Sequence, residues 1–142
     1  IYDDSVAGRG VFGNLQVLLD TNGLMVPIQF GVDIFAELER LGYRQFLVPV
    51  PVLNELRTLS RLADTKKDRL AAKIGLEMAR GCCRILDSED AADLALLRLA
   101  QEENVAVFTN DKELKKRLSS KGITVIRLRQ RHYLEIATRK GF

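Results

Sequence analysis

The chain has 142 residues, 46% of them apolar and 29% charged, with 22 Lys and Arg against 19 Asp and Glu for a net charge of +3. That balance describes one ordinary soluble globular domain, long enough to bury a proper core. No apolar stretch approaches the ~20 residues that cross a bilayer, the amino end lacks a basic-then-apolar secretory pattern, and the adjacent Cys82 and Cys83 match neither a disulfide framework nor a zinc spacing, so the chain reads as cytoplasmic with no membrane partner.

Residues 1–14, with Gly8, Gly10, Gly13 and the Asp3-Asp4 pair, read as a loose leader to a single domain over 15–142. From Leu15 onward, short apolar runs alternate with longer helical ones. Strands are predicted at 15–20, 45–49, 83–86, 105–109 and 123–128, and helices at 32–41, 51–62, 66–80, 90–103 and 111–120. The link from Asn22 to Gly31 contains Pro27 and reads as a long loop beside the expected site. Pro49 and Pro51 set a helix start at Val52. Gly42 and Gly122 end helices, and Asn110 with Glu113 reads as a capping box. The two cysteines read as the start of a buried strand. Strand alternating with helix implies an α/β fold, a three-layer α/β/α sandwich with a mostly parallel central sheet. Right-handed crossovers gather the carboxyl ends of its strands along one edge, where ligands bind.

Four acids are placed to meet at that edge. Asp20 closes the run Leu15-Gln16-Val17-Leu18-Leu19, and Asp111 follows Val105-Ala106-Val107-Phe108-Thr109-Asn110. Glu55 shares a helix stripe with Val52, Leu56, Leu59 and Leu62, so it is expected to point inward. Asp93 aligns with Leu97 and Ala100 on a segment apolar nearly all round, expected to be a buried helix with Glu89 or Asp90 as an exposed cap. The helix dipole alone can account for an acid at Asp93 or Asp111; Asp20, closing a strand before Thr21 and Asn22, has the weakest structural explanation of the four. Two carboxylates ~4 Å apart repel by about 4 kcal/mol at an effective dielectric of ~20. A divalent cation relieves that, and with only His132 and no His/Cys cluster it must be a hard ion held by oxygen. A phosphotransfer receiver domain lacks its late strand-end lysine here. A haloacid-dehalogenase-type phosphatase lacks its second Asp, because position 22 is Asn.

The pieces Leu18-Leu19-Asp20-Thr21-Asn22, Val50-Pro51-Val52-Leu53-Asn54-Glu55-Leu56, Ala92-Asp93-Leu94-Ala95-Leu96 and Thr109-Asn110-Asp111-Lys112-Glu113-Leu114 resemble the four acidic motifs of the PIN-domain nucleases, in the family's order. The resemblance covers residues 15–128 and is nearest to archaeal PIN proteins similar to the nuclease of small-subunit rRNA processing, with VapC-type toxins sharing the core motifs. It implies a metal-dependent endoribonuclease in which Asp20, Glu55, Asp93 and Asp111 hold one or two Mg²⁺ or Mn²⁺ ions. Thr21, Asn22 and Asn110 support them, and the ion activates water for attack on phosphorus. Gly23 stands where the family often has a larger residue, and Asp93-Leu94 where this subgroup often has two acids. Two other readings stay open: a VapC-type ribonuclease toxin, and a catalytically silent PIN-like RNA-binding or scaffold domain. A homodimer, an antitoxin and a ribosome-assembly partner are the protein partners the resemblance implies.

The charge distribution suits a polyanion held beside a metal, and suits a solvated surface equally. Residues 1–110 carry 12 Lys and Arg against 16 Asp and Glu, whereas residues 111–142 carry 10 against 3. Alternation over 124–131 places Arg127, Arg129 and Arg131 on one face of an edge strand, with Lys112, Lys115 and Lys116 on the preceding helix. As an RNA-binding row these residues would contact phosphates and carry little sequence information; a solvated edge strand whose charges deter sheet-to-sheet pairing accounts for them as well.

Overall fold

A computed structural model describes residues 15–138; the leader expected over 1–14 and the basic residues Arg139 and Lys140 lie outside the described residues. Strands β1 (Leu15–Leu19), β2 (Tyr43–Pro49), β3 (Arg84–Leu86), β4 (Ala106–Phe108), β5 (Val125–Arg129) and β6 (Tyr133–Thr138) form one sheet in the order β3-β2-β1-β4-β5-β6. All neighbours are parallel except β5 and β6. The helices are α1 (Thr21–Phe30), α2 (Ile34–Arg40), α3 (Val50–Leu62), α4 (Lys66–Cys82), α5 (Ala92–Glu103) and α6 (Lys112–Ser120).

β1 lies in the middle of the sheet, where both faces are covered, so an unbroken apolar run suits it better than alternation. Val17, Leu18 and Leu19 are fully buried. From β1 the chain moves outward through α1 and α2 to β2, and through α3 and α4 to β3. It then returns by α5 to β4, on the other side of β1, and continues by α6 to β5. Right-handed crossovers running in opposite directions put α1–α4 on one face and α5–α6 on the other. Accordingly α4 packs on α1 and α3, and α5 on α6. The expected three-layer, mostly parallel architecture is what forms.

The stretch expected to be a loop over 22–31 is instead helix α1. Pro27 removes one helical hydrogen bond, a penalty of about 3 kcal/mol or more in a helix interior. Burial of Leu24, Met25 and Val26 opposes it. Asp20 caps the helix start, and Gly31, at φ 68, closes its end with its N–H on the Pro27 carbonyl. The backbones of α1 and α4 approach so closely that a Cβ at Gly75 would meet the Leu24 carbonyl oxygen at 2.6 Å. Gly75→Ala is therefore expected to destabilise the protein by roughly 1–3 kcal/mol, read as a lower midpoint in urea unfolding.

The strand over 123–128 is not an edge. It is covered by β6, reached through a tight turn in which Gln130 and Arg131 have φ of 53 and 62 and the His132 N–H bonds the Arg129 carbonyl at 3.0 Å. This is the geometry of a type I′ hairpin, usually signalled by Asn or Gly. α2 also grips β6: Glu37 accepts from the Leu134 N–H at 3.0 Å and Arg40 donates to the Leu134 carbonyl at 2.6 Å. The cysteines mark the end of α4 rather than a strand start. Cys82 is exposed, and burial, with Cys82 beside it, pushes the Cys83 thiol up to about 12, which leaves it an inert thiol.

Candidate active site

The connections of β1 and β4 leave in opposite directions, so a crevice opens beyond their carboxyl ends. Leu19 pairs with Phe108, and the Asp20 N–H still reaches the Phe108 carbonyl at 3.3 Å. Asp20 therefore sits level with the end of β4, over the fully buried Phe108, and is itself only 6% exposed. Its Oδ1 accepts the Gly23 N–H at 2.6 Å, capping α1. Gly23 is required here: a Cβ would come within 2.9 Å of both Asp20 Oδ1 and the Phe108 ring. Burial pushes the Asp20 carboxyl from an ordinary 3.8 up to about 6, against the pull of the Thr109 hydroxyl and the Gly23 N–H, with the charges of Asp111 and Glu55 adding to the rise.

Asp111 stands at the far side of the crevice, exposed at the start of α6. Its Oδ1 accepts the Leu114 N–H at 3.0 Å, and its own N–H bonds Thr109 Oγ1 at 3.0 Å. The expected capping box of Asn110 and Glu113 does not form, because Asp111 is the cap. Asn110 Oδ1 instead accepts the Leu128 N–H at 2.8 Å, tying the loop to β5.

Glu55 is exposed rather than inward-pointing. On α3, Val52, Leu53 and Leu56 are buried while Leu62 is 74% exposed, so the buried stripe turns away from Glu55 and from the helix end. The carboxylate faces the crevice and accepts the Thr21 hydroxyl at 2.5 Å. Asp93 is exposed too, and α5 is not buried all round: Leu94 is 47% exposed. The other layer covers only one side of α5. Asp93 lies 3.6 Å from Arg117 on α6, an exposed pair worth about 0.2–1 kcal/mol. Neither Glu89 nor Asp90 caps α5. Ala91 occupies the cap without a side-chain bond, and Asp90 pairs with Arg98 at 2.7 Å.

Asp20, Thr21, Asn22, Glu55, Asp93 and Asp111 nonetheless line one pocket of about 650 Å³. Sequence reasoning missed Asn54 and Thr58, which line it as well, and Thr109, which touches two of the acids. The signal for Thr109 was a fully buried hydroxyl at a strand end, where a polar group needs a partner. The donor set is wholly oxygen, the chemistry of a hard divalent cation. As placed, no group of three or more His, Cys, Asp or Glu side chains among the described residues stands close enough to hold a metal ion.

The cationic residues divide. Arg127 and Arg129 both pair with Glu135 of β6, at 2.7 and 3.1 Å, so they do not form a free phosphate-facing row. Arg131 belongs to the hairpin turn, with its guanidinium 5.8 Å from the centre of the Phe30 ring. Lys112, Lys115 and Lys116 line a second pocket with Arg127 and Asn110.

The family model described as a PIN like domain matches residues 17–131, most of the chain and all four acids. The chain belongs to the PIN-like domain family. Ribonuclease VapC4 of Methanocaldococcus jannaschii is 34% identical over 125 residues, covering 85% of this chain and 95% of that protein. Ribonuclease VapC9 of Archaeoglobus fulgidus is 30% identical over 108 residues, covering 76% and 78%. The PIN domain endonuclease Utp24 superposes with a TM-score of 0.73 at 23% identity, over 88% of this chain and 92% of that one. A domain of a functionally unknown protein from Methanocaldococcus jannaschii follows at 0.54 and 16%, over 80% and 91%. At those identities the two likenesses bear on the fold alone.

Proposed function

We propose that this PIN-like domain is a divalent-metal-dependent endoribonuclease whose site is the pocket of Asp20, Glu55, Asp93 and Asp111. The observation that carries this reading is that four acids from four separate segments line one pocket at the point where the strand connections reverse. Helix capping accounts for an acid at Asp20 and at Asp111 singly, but not for a cap residue that also bears the cost of burial with Asp111 and Glu55 adding to it. The two ribonuclease relatives support the reaction class.

Asp20, Asp93 and Asp111 would hold Mg²⁺ or Mn²⁺, with Glu55 beside them. When bound, the ion supplies positive charge that eases deprotonation of water and steadies the charge gathering on the phosphate oxygens. The chain's own groups prepare the site. Asp111 commits Oδ1 to the helix cap, which leaves Oδ2 for a cation. The Thr21 hydroxyl fixes one Glu55 oxygen and leaves the other to receive a proton from water. Asn22, exposed on the first turn of α1, can bond the phosphate being cut.

The direct test is cleavage of single-stranded RNA with Mg²⁺ or Mn²⁺ and in EDTA. Metal-dependent internal cleavage is expected, and cleavage that persists in EDTA contradicts the proposal. Thr21→Val removes a hydrogen bond to a charged group, worth about 1.5–3 kcal/mol, so kcat is expected to fall at least roughly tenfold with KM little changed. The second reading is a VapC-type ribonuclease toxin neutralised by a small partner protein, in keeping with the VapC names of the two ribonuclease relatives. Growth arrest on expression, relieved by a neighbouring gene, would distinguish it from RNA processing.

A further inference from the structure

Along the same sheet edge, one strand beyond the acid pocket, a second pocket of about 620 Å³ opens between α6 and β5. Its wall is Lys112, Lys115 and Lys116 of α6, at a spacing that puts them on one helix face, opposite Arg127 and Leu128 of β5. A solvated lysine face would look away from the fold, whereas this one closes a cavity large enough for a small ligand. Arg127 is committed to Glu135, but among the described residues none of the three lysines has an acid partner within ion-pair distance. The Asn110 side chain, bonded to the Leu128 N–H at 2.8 Å, holds the rim in place.

The two pockets adjoin along the chain: Thr109 and Asn110 line the lysine pocket, and the next residue, Asp111, lines the acid pocket. Leu128 and the lysine methylene stems provide apolar surface for a base and ribose, and the ammonium groups provide charge for a phosphate.

Resting on the nuclease reading above, we infer that the lysine pocket is a subsite for the RNA nucleotide adjacent to the cleaved bond. It seats the phosphate among Lys112, Lys115 and Lys116 and the nucleoside against Leu128. The pocket thereby sets where along the strand the acids act, and it contributes to binding rather than to chemistry.

The test measures fluorescence anisotropy of a short labelled single-stranded RNA in EDTA, at several salt concentrations, so that no cleavage intervenes. K115Q/K116Q is compared with K66Q/K67Q, which removes the same charge from exposed lysines at the start of α4, with melting curves confirming that both fold. K115Q/K116Q is expected to weaken binding at least about tenfold and to lower the slope of log affinity on log salt by roughly 1.4, two single-strand phosphate contacts, while K66Q/K67Q stays close to wild type. Equal weakening by both pairs, or by neither, overturns the subsite. Competition with AMP and UMP separates the sources of nucleotide: weak displacement supports a strand nucleotide, and tight mononucleotide binding without loss of RNA overturns it. A wild type that binds RNA through the pocket yet cuts none with Mg²⁺ or Mn²⁺ sinks the nuclease reading and the pocket's placement beside a cleaved bond, while its role in binding RNA stands. Metal-dependent cleavage with unaltered binding in K115Q/K116Q sinks the subsite alone.

Discussion

Asp20→Asn is expected to abolish RNA cleavage and, in the metal-free protein near pH 7.5, to raise the melting temperature. The two effects have one cause. The Asp20 carboxyl is raised from 3.8 to about 6 by burial, so the folded state holds that proton more tightly than the unfolded chain does. Stability from this group is complete below pH 3.8 and is lost as pH rises through about 6, a loss of up to about 3 kcal/mol. Asparagine avoids it and still accepts the Gly23 N–H, being among the best helix caps. In EDTA the variant should therefore melt several degrees higher than wild type at pH 7.5, with the difference shrinking toward pH 4. A variant less stable than wild type at pH 7.5 would show that Asp20 is held by favourable partners and is no strained ligand.

Asp111 should separate structure from chemistry, because its carboxylate serves both. Asp111→Asn preserves the cap on Leu114 and removes the charge. Cleavage is expected to disappear while urea unfolding stays within about 0.5 kcal/mol of wild type. Asp111→Ala loses the cap as well and should cost about a further 1 kcal/mol. If Asp111→Asn retained full cleavage, the acid would be a helix cap and nothing more.

Topology was more legible in the chain than side-chain exposure was. Alternating apolar runs, with Gly42 and Gly122 as stops, were enough to show a mostly parallel sheet and to bring Asp20 and Asp111 to one edge; the strand order came only with the structure. Helix periodicity misled for Glu55 and Asp93. Both share a nominal stripe with leucines, but α3 and α5 are packed on one side only, so the acids face the crevice from its rim. α1 was hidden by Pro27, whose cost is met by packing against α4 that no local pattern reports. β6 was hidden because Gln130 and Arg131 make the hairpin turn without the usual glycine or asparagine. That strand in turn supplies Glu135, an acid partner for Arg127 and Arg129 that the sequence pattern did not reveal. The lysines of α6 line a pocket together with Arg127, and their proposed contact with RNA rests on that placement.

Calorimetric titration of Mn²⁺ into the protein addresses the four acids with no appeal to activity. Saturable binding of one or two ions to wild type is expected, with the binding heat lost in Asp20→Asn. A wild type that takes up no Mn²⁺, or an Asp20→Asn protein that binds it undiminished, would contradict the assignment of this pocket as a metal-dependent nuclease centre.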